Sequence, residues 1–354
     1  MQLETTPSDL TAAPARRRTA WRDSTAFIIA RKVLGALAVI YVVITLTFFL
    51  IRLMPGNAVD YLRAQLIQQG TMSIDQINQQ VRALYGIDVR QPVGIEYLQY
   101  MGNLLHGDLG RSILYPSQSV TTIIGHALPW TILIVASSLF ISFAIGVLLG
   151  LIAAYKRTST FSNVITLISA IFSAVPNYIV AILALYWLGD LAHVFPISGA
   201  YDASAPIGFN PAFVGSVAAH AVLPVFSYVI TSFGGWMLAM KGSTSSVLGE
   251  DYIAAAVARG IPDHRVTTAY VGRNALLPMM TGLAISMGYM FGGAVFIETT
   301  FAYPGLGYYL VTATNGRDYP LMMGCFILII VAVIVANLLT DIFYVKLDPR
   351  IKMQ

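Results

Sequence analysis

Residues 250–278 read EDYIAAAVARGIPDHRVTTAYVGRNALLP, a polar island between two long apolar stretches. The island is too charged to sit in lipid, yet it is patterned as a short capped helix. Glu250 and Asp251 stand where the first turn of a helix favours negative charge, Arg259 stands in the last turn, and Gly260 follows as a stop. Pro262 then opens a second helix that runs towards the next apolar stretch. A stiff, Ala-faced helix of about ten residues, roughly 15 Å long, makes a good docking lever and a poor catalytic centre.

Working outward, the surroundings are membrane-like. Hydrophobic residues make up 56% of the 354 and charged residues only 11%, less than half the share usual in soluble domains. The mean hydropathy of +0.70 agrees. The net charge of +4 does not point to nucleic acid, because the basic residues are scattered among loops. The lone cysteine, Cys325, lies inside an apolar run, which excludes an intrachain disulfide and reads as packing.

Runs free of Asp, Glu, Lys and Arg predict six helical spans near 33–53, 127–154, 162–187, 217–240, 276–297 and 319–341. Arg16-Arg17-Arg18 before the first of them resembles a secretory leader, but Val33–Ile51 is long and lacks a small-residue cleavage site, so it reads as a retained span. With the N-terminus inside, fifteen of the 21 lysines and arginines fall on the cytoplasmic side. That bias predicts cytoplasmic termini and a cytoplasmic 250–278 island.

The chain divides accordingly into a tail (1–32), a first span (33–53) and an extracytoplasmic helical subdomain (54–126). A core (127–349) then carries spans two to six, and a short end follows (350–354). In the subdomain, Ser73 to Gln76 has capping-box spacing, and Ile74, Ile77, Val81 and Leu84 recur at helical intervals until Gly86. A second amphipathic helix is expected over 92–105, ending at Gly107. Gly146 and Gly150 form a small-xxx-small pair that brings two helices close. Pro176, Pro224 and Pro278, with Gly234-Gly235 and Gly292-Gly293, mark places where spans can bend.

Chemistry is sparse. No lysine precedes Ser or Thr, so the phosphate loop G-x-x-x-x-G-K-[ST] is absent. His106, His126, His193, His220 and His264 have no metal-ligand spacing, and no G-x-S-x-G occurs. Glu298 and Asp341 sit at span ends rather than in span interiors, which counts against an ion-driven pump, and His220 reads as an interfacial hydrogen-bonder. No catalytic residue, metal site or cofactor site is expected in this chain, and no substrate-path residue is assigned.

Seven stretches stand in order along the chain: LIRLMPG (50–56), GDLGRS (107–112), FPISG (195–199), RNALLP (273–278), GGAVFIETTFAYPGLGYYL (292–310), RDYP (317–320) and LDPRIK (347–352). Together they resemble the membrane-spanning permease subunits of dipeptide and oligopeptide ABC importers of bacteria and archaea. The resemblance runs from about residue 31 to the C-terminus. It implies an all-α polytopic fold of the type I importer kind in the cytoplasmic membrane. It also implies import driven by ATP and Mg bound to partner subunits, not to this chain. The implied partners are a second permease, two ATP-binding subunits and an extracytoplasmic solute-binding protein.

In such subunits a cytoplasmic coupling helix docks into the ATPase, and residues 250–262 fall on it. Ala255, Ala256 and Gly260 match its A-A-x-x-x-G core, while Ala254 and Val257 depart from positions that are often charged in relatives. The resemblance therefore points to Glu250, Asp251, Tyr252, Ala255, Ala256, Arg259 and Gly260 as the contact. It fixes the transport mode better than the cargo: WMLAMKGSTSSVLGEDY (236–252) is similar to a branch that includes oligosaccharide importers. Peptides lead, oligosaccharides follow, and a stand-alone secondary transporter is the alternative from another class.

Overall fold

The computed structural model describes residues 25–53, 76, 79 and 92–347. Residues 1–24 of the N-terminal tail, most of the predicted helix at 73–86, residues 54–56 of LIRLMPG and residues 348–352 of LDPRIK lie outside the described residues. What is described is helical, and the one β contact is an isolated bridge between Arg111 and Ser119.

Helix α1 spans Thr25–Leu53, and α2 spans Val93–Leu105, with Gly107 in the left-handed region just beyond it. The longest helices are α3 (Val120–Tyr155) and α6 (Pro211–Leu248). Between them come α4 (Thr160–Ala174) and α5 (Asn177–Ala184), the latter continuing as a π-helical turn over Leu185–Leu191. Then follow α7 (Asp251–Ala258), the single turn α8 (Asp263–Arg265), a second π-helical stretch (Val266–Gly272) and α9 (Arg273–Thr300). Helices α10 (Leu306–Asn315) and α11 (Tyr319–Leu347) complete the chain.

Several starts are fixed by side-chain caps that satisfy otherwise orphaned backbone N–H groups. Ser119 accepts from Thr122 N at 3.1 Å, Ser159 from Ser162 N at 3.1 Å, and Asn210 from Phe213 N at 2.9 Å. Asp318 does the same for α11, accepting from Leu321 N at 3.1 Å.

Four helices are long and apolar enough to cross a membrane, and two bent pairs bring the total to six if each pair is one span. The third span departs from the expected continuous helix over 162–187: α4 and α5 meet at 96°. The cause is Pro176, which has no N–H to donate and forces Val175 into extended geometry at ψ 126°. By contrast, α6 continues through Pro224 and α9 through Pro278, and the 46° bend near the middle of α9 falls between Leu283 and Ile285.

One glycine of each pair sits at a packing contact, while a Cβ on Gly235 or Gly292 would meet nothing within 4 Å. A Cβ on Gly234 would lie 2.3 Å from Ser169 O of α4, and one on Gly293 would lie 2.2 Å from the Tyr228 hydroxyl. Gly146 and Gly150 behave as expected. Cβ atoms there would meet Trp236 Cβ at 2.4 Å and Met237 O at 2.5 Å, so α3 and α6 run side by side at backbone contact. At 36 and 38 residues, these two helices are about 54 and 57 Å long. Both exceed the roughly 30 Å hydrocarbon thickness, so they project beyond it.

Candidate functional site

The end of α6 and the start of α9 meet at α7. The helix begins after Glu250, whose side chain makes no capping bond, and Asp251 occupies the first turn. It ends in a Schellman motif: Gly260 N donates to Val257 O at 2.9 Å and Ile261 N donates to Ala256 O at 3.3 Å. That closure needs a left-handed residue, and Gly260 has φ +73°. A side chain there would be strained.

One face of α7 is a seat. Ile253 and Ala256 are buried against Val266 and Val271, with Leu151 of α3, Val247, Leu248, Ile261 and Tyr270 around them. Ser243 Oγ donates to Ala275 O at 2.9 Å, which ties α6 to the first turn of α9 just behind the seat. The opposite face is open. Glu250, Asp251, Tyr252, Ala254, Ala255, Val257, Ala258, Arg259 and Gly260 are all exposed. Six of the seven expected contact residues therefore lie on the outward surface. Ala256 does not: it faces the seat, so its small size serves close packing under the helix. Tyr252 Oη accepts from Asn274 Nδ2 at 3.1 Å, which links the outward face to the RNALLP stretch. Val257 is 56% exposed and puts an apolar side chain on that face, at a position the sequence reading did not select.

The far end of the bundle is built differently, around two carboxylates. Asp318, fully buried, accepts from Ser112 Oγ, from Ile113 N at 2.8 Å and from Leu114 N at 2.9 Å. It thereby joins GDLGRS to RDYP across 206 positions. Glu298, also fully buried, accepts from Gly307 N at 2.6 Å and from Tyr308 N at 3.3 Å, capping the N-terminus of α10. Thr131 Oγ1 accepts from Leu306 N at 2.8 Å in the same turn, and Gly199 N donates to Phe301 O at 3.1 Å, bringing FPISG onto the FAYPGLG loop. Burial, and after it the charge of Glu298, pushes the Tyr303 hydroxyl well above the usual tyrosine range. His220, buried in α6, bonds through Nδ1 to Ser216 O at 2.8 Å in its own helix, with Nε2 3.9 Å from Asp202.

Sequence reading treated Glu298 as the end of a span and Asp318 as part of a marker. The available signals were a carboxylate two residues before a helix end and an Asp directly preceding a Tyr-Pro helix start. The first does not show that the carboxylate caps the helix that follows, and the second does not disclose a partner as distant as Ser112. Among the described residues no cluster of His, Cys, Asp and Glu could hold a metal ion.

Comparison with known proteins gives a consistent picture. Residues 146–353 match the family model described as binding-protein-dependent transport system inner membrane component. A protein of Brucella suis biovar 1, provisionally named a peptide permease protein, is 31% identical over 326 residues, 91% of this chain and 98% of the relative. The oligopeptide transport system permease protein AppB of Bacillus subtilis is 29% identical over 92% of this chain and 98% of its own length. The dipeptide transport system permease protein DppB of Lactococcus lactis is 28% identical over 90% and 96%.

Proposed function

The chain belongs to the family of inner-membrane components of binding-protein-dependent transport systems, and from that premise we propose that it is a permease subunit of an ATP-driven peptide importer. The observation that carries the reading is α7: an exposed, sharply terminated helix on an apolar seat, held between two membrane helices. Such a helix offers a partner a rigid handle. Family membership also weighs against a self-sufficient secondary transporter, since such systems work through a separate binding protein.

ATP and Mg act on two partner ATPase subunits, and a second permease completes the path. The ATPases hold the face formed by Glu250, Asp251, Tyr252, Ala255, Val257, Arg259 and Gly260. Their closure moves α7, and with it the inner ends of α6 and α9. The side bearing α7 is cytoplasmic, in keeping with the distribution of lysine and arginine. The solute-binding protein meets the opposite end, near the loops organised by Glu298 and Asp318. Peptides are preferred to oligosaccharides because relatives that match nearly end to end carry peptide-transport names.

The test is affinity purification of the tagged chain, co-expressed with ATPase subunits of its own transport system, as wild type and as Gly260→Asp. Recovery of ATPase subunits with wild type and their loss with the variant is the expected result. A wild-type chain that comes down alone in the presence of those ATPases overturns the reading.

A further inference from the structure

A cleft of about 500 Å³ opens between α4, α6 and α9. Its wall differs from the apolar outward stretch of α4 beside it. On α4 the exposed side chains Phe161, Val164, Leu167 and Ile171 are apolar, as a lipid-facing surface must be. The cleft instead gathers Ser173, Thr231, Ser232, Trp236, Ser286 and Tyr289, and no charged residue lines it. Tyr289 is 79% exposed, although it lies about 16 Å along α9 from the helix end at Thr300. A hydroxyl held that deep in hydrocarbon would go unsatisfied, which lipid-facing surfaces avoid.

The hydroxyls fall into two sets. Ser173 donates to Ser169 O and Thr231 donates to backbone carbonyls of its own helix, so both present only lone pairs to the cleft. Ser232, Ser286, Tyr289 and the Trp236 indole N–H make no hydrogen bond among the described residues and keep their donors unspent. Trp236 is held in place by the Phe143 ring at 5.1 Å and by the absence of a side chain on Gly282, where a Cβ would stand 3.2 Å from the indole. The cleft is also framed by the two helices that enter and leave the α7 segment, so displacement of α7 alters its width.

Resting on the importer reading, we propose that this cleft is the chain's share of a water-filled solute path. It takes neutral hydrogen-bonding chains, meeting backbone carbonyls with unspent hydroxyl and indole donors and reading no charge. Side-chain charge on the cargo is then tolerated, not selected, along this wall.

The chain's one cysteine, Cys325, is fully buried, so an introduced cysteine is the accessible thiol of this chain, and labelling is read on this chain alone after its separation from the partner subunits. Ser232→Cys, Ser286→Cys and the lipid-facing control Leu167→Cys are made in the assembled transporter in membranes. Each is treated with a charged, water-soluble methanethiosulfonate. The expected result is reaction about tenfold or more faster at 232 and 286 than at 167, because a thiol in hydrocarbon stays protonated and out of reach. Equal inertness at all three positions, in a complex from which the ATPases still co-purify, overturns the proposal. In parallel, Ser286→Trp fills the cleft and is expected to abolish uptake of trialanine while ATPase co-purification persists; wild-type uptake by that variant also overturns it. Loss of co-purification by wild type would count against the importer reading instead, so the two failures are separable.

Discussion

The two ends of the bundle are held by different forces. At the α7 end, Ile253 and Ala256 rest on a small apolar patch, and Tyr252 with Asn274 supplies the side-chain bond to the outward face. At the other end, Asp318 and Glu298 are fully buried and gather backbone N–H groups, Asp318 from the distant Ile113–Leu114 segment and Glu298 from the start of α10 close by in sequence. Apolar contact is non-directional and lets a short helix rock on its seat. Charge-assisted hydrogen bonds are directional and costly to leave unmade. The end proposed to receive force is thus free to pivot, while the end proposed to meet a delivered solute is pinned.

Four substitutions press on that contrast. Asp318→Ala strands the Ser112 hydroxyl and the amides of Ile113, Leu114 and Leu321, and is expected to cost about 3–5 kcal/mol, read as a large drop in the thermal unfolding midpoint in detergent. Ile253→Ala opens a cavity beneath α7 and should cost about 2–4 kcal/mol. Its signature is transport that falls further than ATPase co-purification does, because the handle is still present but badly seated. Should Asp318→Ala prove milder than Ile253→Ala, the contrast between the ends fails. Gly260→Ala forces a side chain into left-handed geometry for about 1–2 kcal/mol, and weakened ATPase recovery from detergent extracts is the check. Val257→Ser should change stability by less than about 0.5 kcal/mol, yet lower ATPase recovery, since it alters only the outward face. Unchanged recovery would remove Val257 from that surface.

Local features were legible in sequence and distant ones were not. The limits of α7 follow from the acids at 250 and 251, the glycine at 260 and the proline at 262, all within one short stretch. Which of Ala255 and Ala256 faces the seat could not be read, because identical side chains carry no pattern and the direction is set by Leu151 of α3 and Val266. The six spans were located from the absence of charge, but Pro176, Pro224 and Pro278 looked alike. Only the first breaks its helix, with extended geometry at Val175 just before it. The carboxylate pins escaped for a further reason: Asp318 answers to Ser112, and no periodicity links positions that far apart. The cleft was invisible because its wall is assembled from three helices whose facing sides only packing decides.

The seam between α3 and α6 also dictates an order of manufacture. Its two halves, around Gly146–Gly150 and Phe233–Lys241, are separated by the whole of α4 and α5. During synthesis α3 is made well before its partner exists, and its glycine groove must wait in lipid or against the insertion machinery. The bent span formed by α4 and α5 has to be completed before the groove can be filled. A ribosome paused anywhere short of residue 233 therefore holds a chain whose longest early helix has no mate, and that window is where quality control would find it.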